Sequence, residues 1–382
     1  MDFDLSPEQA QLQDGVERLL ASAYGSLEAR KAQGSGPLGF SEKTWAQYAE
    51  MGLLGIPFTE EEGGFGGGPV ETLVVMQALG KALALEPYLA TVVLGGSAVR
   101  LGGSEEMKAR VIPGIVDGSL TLALGFTEKQ SRYDFHDVAT TARKVEGGYL
   151  LEGAKCVVIN GDSAGEIIVS ARTRGERRER DGISLFLVPA EAPGLSRHGY
   201  PTQDGGRAAE ISLGEVRVGE AALVGPLHGG LPILQRVAEH AIAALAAEAV
   251  GIMAALHAMT VEYLKARQQF GAPIAQFQVL QHRAVDMFMA LEQARSMAFY
   301  AAMMVEHADA AERAAALSAV KVQINRSCRR VGQEAVQLHG GIGMTMEYLG
   351  AHYFKRLTVI ESLFGDTPHH LKIVAAAGEL AA

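Results

Sequence analysis

The chain has 382 residues, 48% of them hydrophobic and 20% charged, with a formal net charge of −10 and a sequence pI near 5.6. That is enough apolar material for a large core divided into two or three substructures, and the acidic balance excludes general nucleic-acid binding, which needs a surplus of Lys and Arg on some face. Cys156 and Cys328 stand far apart, with no Cys or His at ligand spacing, so they read as ordinary buried thiols rather than a disulfide framework or a zinc site.

The N-terminal stretch MDFDLSPEQAQLQD is acidic and has no apolar h-region. No uninterrupted apolar run long enough to cross a bilayer follows it, and the expected location is the cytoplasm. Residues 1–118 read as helices. SPEQAQLQDGVERLLASAY opens with a Ser-Pro helix start and places Leu12, Val16, Leu19 and Leu20 on one face. Further helices are expected at SEKTWAQYAEMGLLG and PVETLVVMQALGKALA, with the glycine-dense turn FTEEEGGFGGGP (58–69) between them.

From residue 119 to 224 the period changes. LTLALGFT, DVATTARKV, GYLLEGAKCVVIN, EIIVSART, GISLFLVP and AAEISLGEVRVG are short β-branched segments separated by Gly, Asp and Pro, which predicts an antiparallel β domain closed as a small barrel. The one basic cluster, RGERRER (174–180), falls between two of these strands and reads as a solvated hairpin tip.

Residues 225–382 return to helix. The alanine-rich stretch 231–270 has no proline after Pro232, and the next places Phe277, Leu280, Ala284, Met287, Leu291, Ala294 and Ala298 along one stripe. A third helix is expected over 311–338. The fold class is therefore α+β: a helical domain (1–118), a central antiparallel β domain (119–224) and a C-terminal four-helix bundle (225–382).

RQQFGAPIAQFQVLQHRAVDM (267–287), AVQLHGGIGMTMEY (335–348), GGFGGG near residue 65 and this order of domains together resemble the acyl-CoA dehydrogenases. The resemblance spans nearly the whole chain. It implies FAD as cofactor, an acyl-CoA thioester as substrate, an electron-transfer flavoprotein as acceptor, and a dimer or tetramer, because Arg267 and Phe270 would meet the FAD of a neighbouring subunit. From the residues alone, Arg267 either offers its fork of donors to a pyrophosphate or satisfies the last carbonyls of its helix. Gln337, Gly340 and Gly341 correspond to cofactor contacts, although a glycine cluster by itself is more commonly a helix-breaking turn. His339 beside them reads as structural.

In the β domain the resemblance places Phe126 and Thr127 against the flavin. Arg132 and Tyr133 replace an expected Gly-Ser, so the contact to the CoA chain there is not carried over. In KCVVING, Val157 stands where an aromatic often stacks, and Ile159 where a Thr usually bonds the flavin N5, a role its backbone N–H can serve. Ordinary strand packing explains each of these residues without the family.

The family's reaction removes an α-proton with a carboxylate while the β-hydride leaves for the flavin. Aligned through Arg356 and Thr367, Gly365 occupies the position of the usual base, and Ala241 the alternative position on the long helix. The remaining acids are Asp366, Glu248 and Glu239. Asp366 lies in the loop expected to face the flavin, but an Asp before Thr-Pro equally caps a helix. Glu248 is either a perturbed base or the partner of an Arg. Thr367 keeps a FAD contact. These departures, with RYD and FGD, resemble a bacterial branch that degrades steroid side chains and dicarboxylates, whose members often pair two different subunits. Two readings follow: a self-sufficient acyl-CoA dehydrogenase using Asp366 or Glu248, or a FAD-binding subunit whose base comes from a homologous partner in a heterotetramer.

Overall fold

The computed structural model describes residues 5–378; the first four residues of the acidic N-terminal stretch and the last four of the chain lie outside the described residues. Helices α1 (Pro7–Ala23), α2 (Leu27–Gln33), α3 (Glu42–Glu50), α4 (Pro69–Ala82), α5 (Ser97–Gly102) and α6 (Glu105–Val116) come first. Strands β1 (Leu122–Gly125), β2 (Thr141–Val145), β3 (Gly148–Ile159), β4 (Glu166–Arg172), β5 (Ile183–Pro189), β6 (Leu195–Pro201), β7 (Arg207–Gly219) and β8 (Leu223–Val224) follow. The chain closes with α7 (Gly230–Ala266), α8 (Gln278–Met304), α9 (Ala310–His339), α10 (Leu349–Ser362) and α11 (Thr367–Ala376). It divides into a helical unit (Met1–Gln33, Pro69–Ala84, Ile242–Ala382) and a unit containing the sheet (Gly34–Gly68, Leu85–Ala241), the division falling inside α7.

In the helical unit, α1 begins where Ser-Pro predicts. Ser6 Oγ accepts from Gln9 N, and Gln9 Oε1 accepts from Ser6 N, a reciprocal capping box. The long helices use small residues to approach one another: a Cβ on Gly80 would strike the backbone of Glu248, and one on Gly251 the backbone of Gln77. These two glycines let α4 and α7 pack backbone to backbone, and Tyr353 Oη secures the same region by donating to Lys81 O at 2.6 Å. By length and composition α7 alone among the described helices could cross a membrane, and 61% of its most apolar stretch is buried within the protein.

The sheet runs β6-β7-β3-β2-β4-β5-β8, with β1 paired to β4. It is open, which corrects the expected barrel. Its end strands cannot close: β8 is two residues long, and β6 has alternating exposure and ends in Pro201, the features of an edge strand. β6 itself, LSRHGYP, carries too little apolar alternation to be legible beforehand. The core of this unit comprises Leu151, Val158, Ile167, Val169, Phe186, Val188, Ile211 and Val216, all 1% exposed or less, among others. The basic tip between β4 and β5 is exposed throughout residues 174–180, as expected. Its Arg177 and Arg178 reach inward to the buried Asp137 at 2.7 and 3.0 Å, while Arg172 donates to the carbonyls of His136, Arg177, Glu179 and Asp181. Cys328 is buried as expected; Cys156 is half-buried.

Candidate cofactor and catalytic site

In the sheet-containing unit, the chain leaves β1 at Gly125 and presents Phe126 and Thr127. Phe126 is held edge-to-face against Phe135, ring centroids 5.3 Å apart, and Thr127 O accepts from Cys156 N at 2.9 Å. That bond joins the Phe-Thr segment to β3, where pairing with β7 slips between Lys155 and Val158. The bulge gives Val157 a φ of +51°, rare for a β-branched residue, and turns it outward to 49% exposure. Ile159 is half-buried and back in register opposite Ala208.

A buried ion pair fixes both segments. Lys155 Nζ lies 2.6 Å from Glu128 Oε1 and donates to Ser170 Oγ at 3.0 Å; Glu128 also accepts from the N–H groups of Ala139 and Thr140. Burial raises the Glu128 carboxyl, but Lys155 and the donated hydrogen bonds outweigh it and hold it at about 2. Burial pulls Lys155 down to about 8 despite its partner. Thus one charge pair anchors the residue after Thr127 and the residue before the bulge. The sequence reading missed both; its signal was a Lys at an inward-facing strand position, which needs a buried carboxylate.

In the helical unit, α7 stops at Ala266, where Arg267 N donates to Tyr263 O. A two-residue turn follows, Phe270 (φ +56°) and Gly271 (φ +80°), closing a hairpin between Gln268–Gln269 and Ala272–Pro273. This is why the expected helix over 231–270 ends four residues early. The turn leaves Phe270 90% exposed. At the far end of α9, Gln337 is exposed and Gly340 adopts φ +62°, ψ −141°, a conformation open essentially only to glycine. Nothing in the chain lies within 4 Å of where a Cβ on Gly340 or Gly341 would sit. Thr367 opens α11 and is half-buried.

The two candidate acids are tied down. Glu248 accepts from Arg356 through both oxygens, at 2.6 and 2.8 Å, a bidentate pair. Asp366 is the N-cap of α11, its Oδ1 accepting from His369 N at 2.9 Å. Glu239 pairs with Arg236 at 2.7 Å, and Ala241 is fully buried. Gly365 has φ +123°, and a Cβ there would strike His370 Nε2 and lie 2.7 Å from His369 Cδ2. The loop is built around the missing side chain: His370 Nε2 donates to Phe364 O, its Nδ1 accepts from Ser318 Oγ, and Lys321 Nζ caps α10 through Ile360 O at 2.7 Å while bonding Asn325 Oδ1. Burial drives the His370 imidazole down to about 3.

Comparison with known proteins decides the family. Three family descriptions match in succession: acyl-CoA dehydrogenase, N-terminal domain over residues 6–119, middle domain over 123–218 and C-terminal domain over 228–378. The probable acyl-CoA dehydrogenase YngJ of Bacillus subtilis (strain 168) is 32% identical over 353 residues, 91% of this chain and 92% of that protein. The chain belongs to the acyl-CoA dehydrogenase family. It is similar throughout its length to the FAD complex of PigA (27% identity, TM-score 0.91, all of both chains covered). It is similar also to a variant of the Tcur3481-Tcur3483 steroid acyl-CoA dehydrogenase (28% identity, TM-score 0.86, 98% of each chain).

As a member of this oxidoreductase family the chain has groups that fit FAD. Among the described residues, the Arg267 guanidinium, the Gln337 carboxamide and the hydroxyls of Thr127 and Thr367 have no partner within the chain. Taken singly, a cation, an amide and hydroxyls are donor types that a dinucleotide pyrophosphate and a polar ring edge accept from.

Proposed function

We propose that this acyl-CoA dehydrogenase family member oxidises an acyl-CoA thioester to its 2-enoyl-CoA and passes the electrons to an electron-transfer flavoprotein. One observation carries the reading: the four polar side chains that correspond to FAD contacts make no internal bond among the described residues. Phe126, Thr127, the Ile159 backbone and Thr367 would each contact FAD, while Arg267, Phe270, Gln337 and the Gly340–Gly341 turn would meet the FAD of a neighbouring subunit. FAD, when bound, supplies the hydride acceptor. The backbone N–H of Gly365, which donates to nothing among the described residues, is the proposed donor to the thioester carbonyl, where enolate charge develops.

Asp366 is the first candidate for the base and Glu248 the second. Each would have to release a bond it now makes, the α11 cap or the Arg356 pair. The functional segments we assign are 1–118, 119–224 and 225–382, in a cytoplasmic oligomer. Support for assembly comes from α8 and its flanks, where Phe277, Val279, Val285, Phe288, Met289 and Phe270 remain between 37% and 90% exposed, more apolar surface than a lone helix face normally shows.

A second reading is favoured by the loop at Gly365, which has no room for a carboxylate-bearing side chain: a FAD-binding subunit whose base lies on a homologous partner, as in a two-component steroid dehydrogenase. Anaerobic titration of the flavin-loaded protein with acyl-CoAs from short to steroid-sized separates the two. Bleaching by the chain alone, abolished by Asp366→Asn or Glu248→Gln, supports the self-sufficient enzyme. Bleaching only after co-expression with a partner supports the second, and failure to take up FAD in either form would overturn both.

A further inference from the structure

Between the two proposed cofactor-binding segments of the helical unit lies a buried imidazole that the reaction does not use. His339 is the last residue of α9 and is 3% exposed. Its Nδ1 is 2.8 Å from Ala335 O and its Nε2 is 2.7 Å from Tyr348 Oη. A carbonyl can only accept, so Nδ1 carries the proton and Nε2 accepts the Tyr348 hydroxyl proton. Burial also pushes the imidazole pKa down, which keeps this neutral tautomer in place.

The ring joins three helix ends. Its own residue precedes Gly340 in α9. Tyr348, ring centroid 4.9 Å away, is the N-cap residue of α10. Tyr263, ring centroid 4.5 Å away, belongs to the last turn of α7, and its carbonyl receives the N–H of Arg267. The short turn Gly340–Met344 folds back so closely that a Cβ on Gly343 would lie 3.0 Å from His339 Cβ. Between the residue that receives the Arg267 N–H and the Gly340–Gly341 turn lies one aromatic contact, Tyr263 against His339, the rings tilted by 36°.

We propose that His339 is a positioning residue for the cofactor: hydrogen-bonded by Tyr348 and packed against Tyr263, it fixes the spacing between the Arg267 fork and the Gly340–Gly341 turn. This rests on the FAD-binding reading of those segments. A residue that only stabilised the bundle would lower the unfolding temperature when altered and leave FAD affinity, once folded, unchanged. A positioning residue instead couples to the group it positions.

The test is a double-mutant cycle on the reconstituted full chain, read as the FAD dissociation constant. Tyr348→Phe removes one hydroxyl and should weaken FAD about tenfold, the effect of one misplaced hydrogen-bonded contact. In an Arg267→Gln background the same change should have less than about half that effect on the logarithmic scale, because the fork it places is gone. Nitrogen-15 imidazole NMR of the flavin-free protein should show His339 protonated on Nδ1. Should Tyr348→Phe fold poorly, His339→Gln, whose carboxamide oxygen can still accept from Tyr348, should retain more FAD affinity than His339→Leu. Equal affinities in the wild type and both single-site families, or strictly additive losses with Arg267→Gln, would overturn the proposal while leaving FAD binding intact. A wild-type chain that takes up no FAD would overturn the underlying reading as well.

Discussion

The residues proposed to hold the cofactor and the loop proposed to face the substrate treat their polar groups in opposite ways. Arg267, Gln337, Thr127 and Thr367 are placed by ordered backbone yet, among the described residues, their side chains bond nothing in the chain. The candidate acids and the buried Lys321 are engaged instead: Glu248 by Arg356, Asp366 by the α11 N-terminus, Lys321 by α10 carbonyls. Solvent-reachable polar groups that make no internal bond stay open to water or to a ligand, whereas partnered ones serve as scaffold. The difference teaches that the proposed cofactor contacts can change partner at no cost to the fold, whereas either candidate base must first give up a bond it now makes.

The largest effect that could break the contrast is restoring the absent carboxylate. Gly365→Glu should cost about 3–5 kcal/mol in urea unfolding, from a side chain forced to φ +123° and against His370; wild-type stability in that variant would show that the loop tolerates a base after all. Next, acid should loosen the same loop. His370 is held near 3 in the folded state, below its ordinary value, so the unfolded chain binds the proton first. Its contribution is fully present above about pH 6.5 and is lost as pH falls toward 3, up to about 5 kcal/mol. Glu128 has the same sign but a lower window, from about 4.5 down to 2. A stability slope between pH 6.5 and 4.5 that persists in His370→Asn would assign it elsewhere.

Arg356→Leu should lower stability by about 2–3 kcal/mol, because it strands Glu248 in a site where that carboxylate is 11% exposed; no change would mean that Glu248 finds water and is available as a base. The smallest effects on stability belong to the cofactor side. Arg267→Gln and Gln337→Leu should leave the flavin-free protein within about 0.5 kcal/mol of wild type, while Arg267→Gln weakens FAD by roughly ten- to a hundredfold, the worth of a charge-assisted bond. Loss of flavin-free stability in either would show that these side chains are scaffold too.

Much of this was written in local sequence. Ser6-Pro7-Gln9 starts α1, the spacing of Met287, Leu291, Ala294 and Ala298 buries one face of α8, and Arg267, Phe270, Gln337 and Gly340 could be named from motif resemblance, because turns, caps and amphipathic stripes depend on neighbours within a few residues. The choice between roles for Asp366 and Glu248 could not. Both were legible as acids with two possible uses, and only the position of the α11 backbone and of Arg356, 108 residues away, shows what each oxygen bonds. The open sheet, the Lys155–Glu128 anchor and the His339 contacts to Tyr263 and Tyr348 likewise depend on which distant strands and helices meet. Sequence by itself determined most of the elements, their order and the family, β6 and the end of α7 excepted, since these follow from local periodicity and short motifs. Tertiary structure decided which polar groups are used up inside the fold and which stay open at its surface, since a hydrogen bond is made by the nearest group in space, however far along the chain it lies.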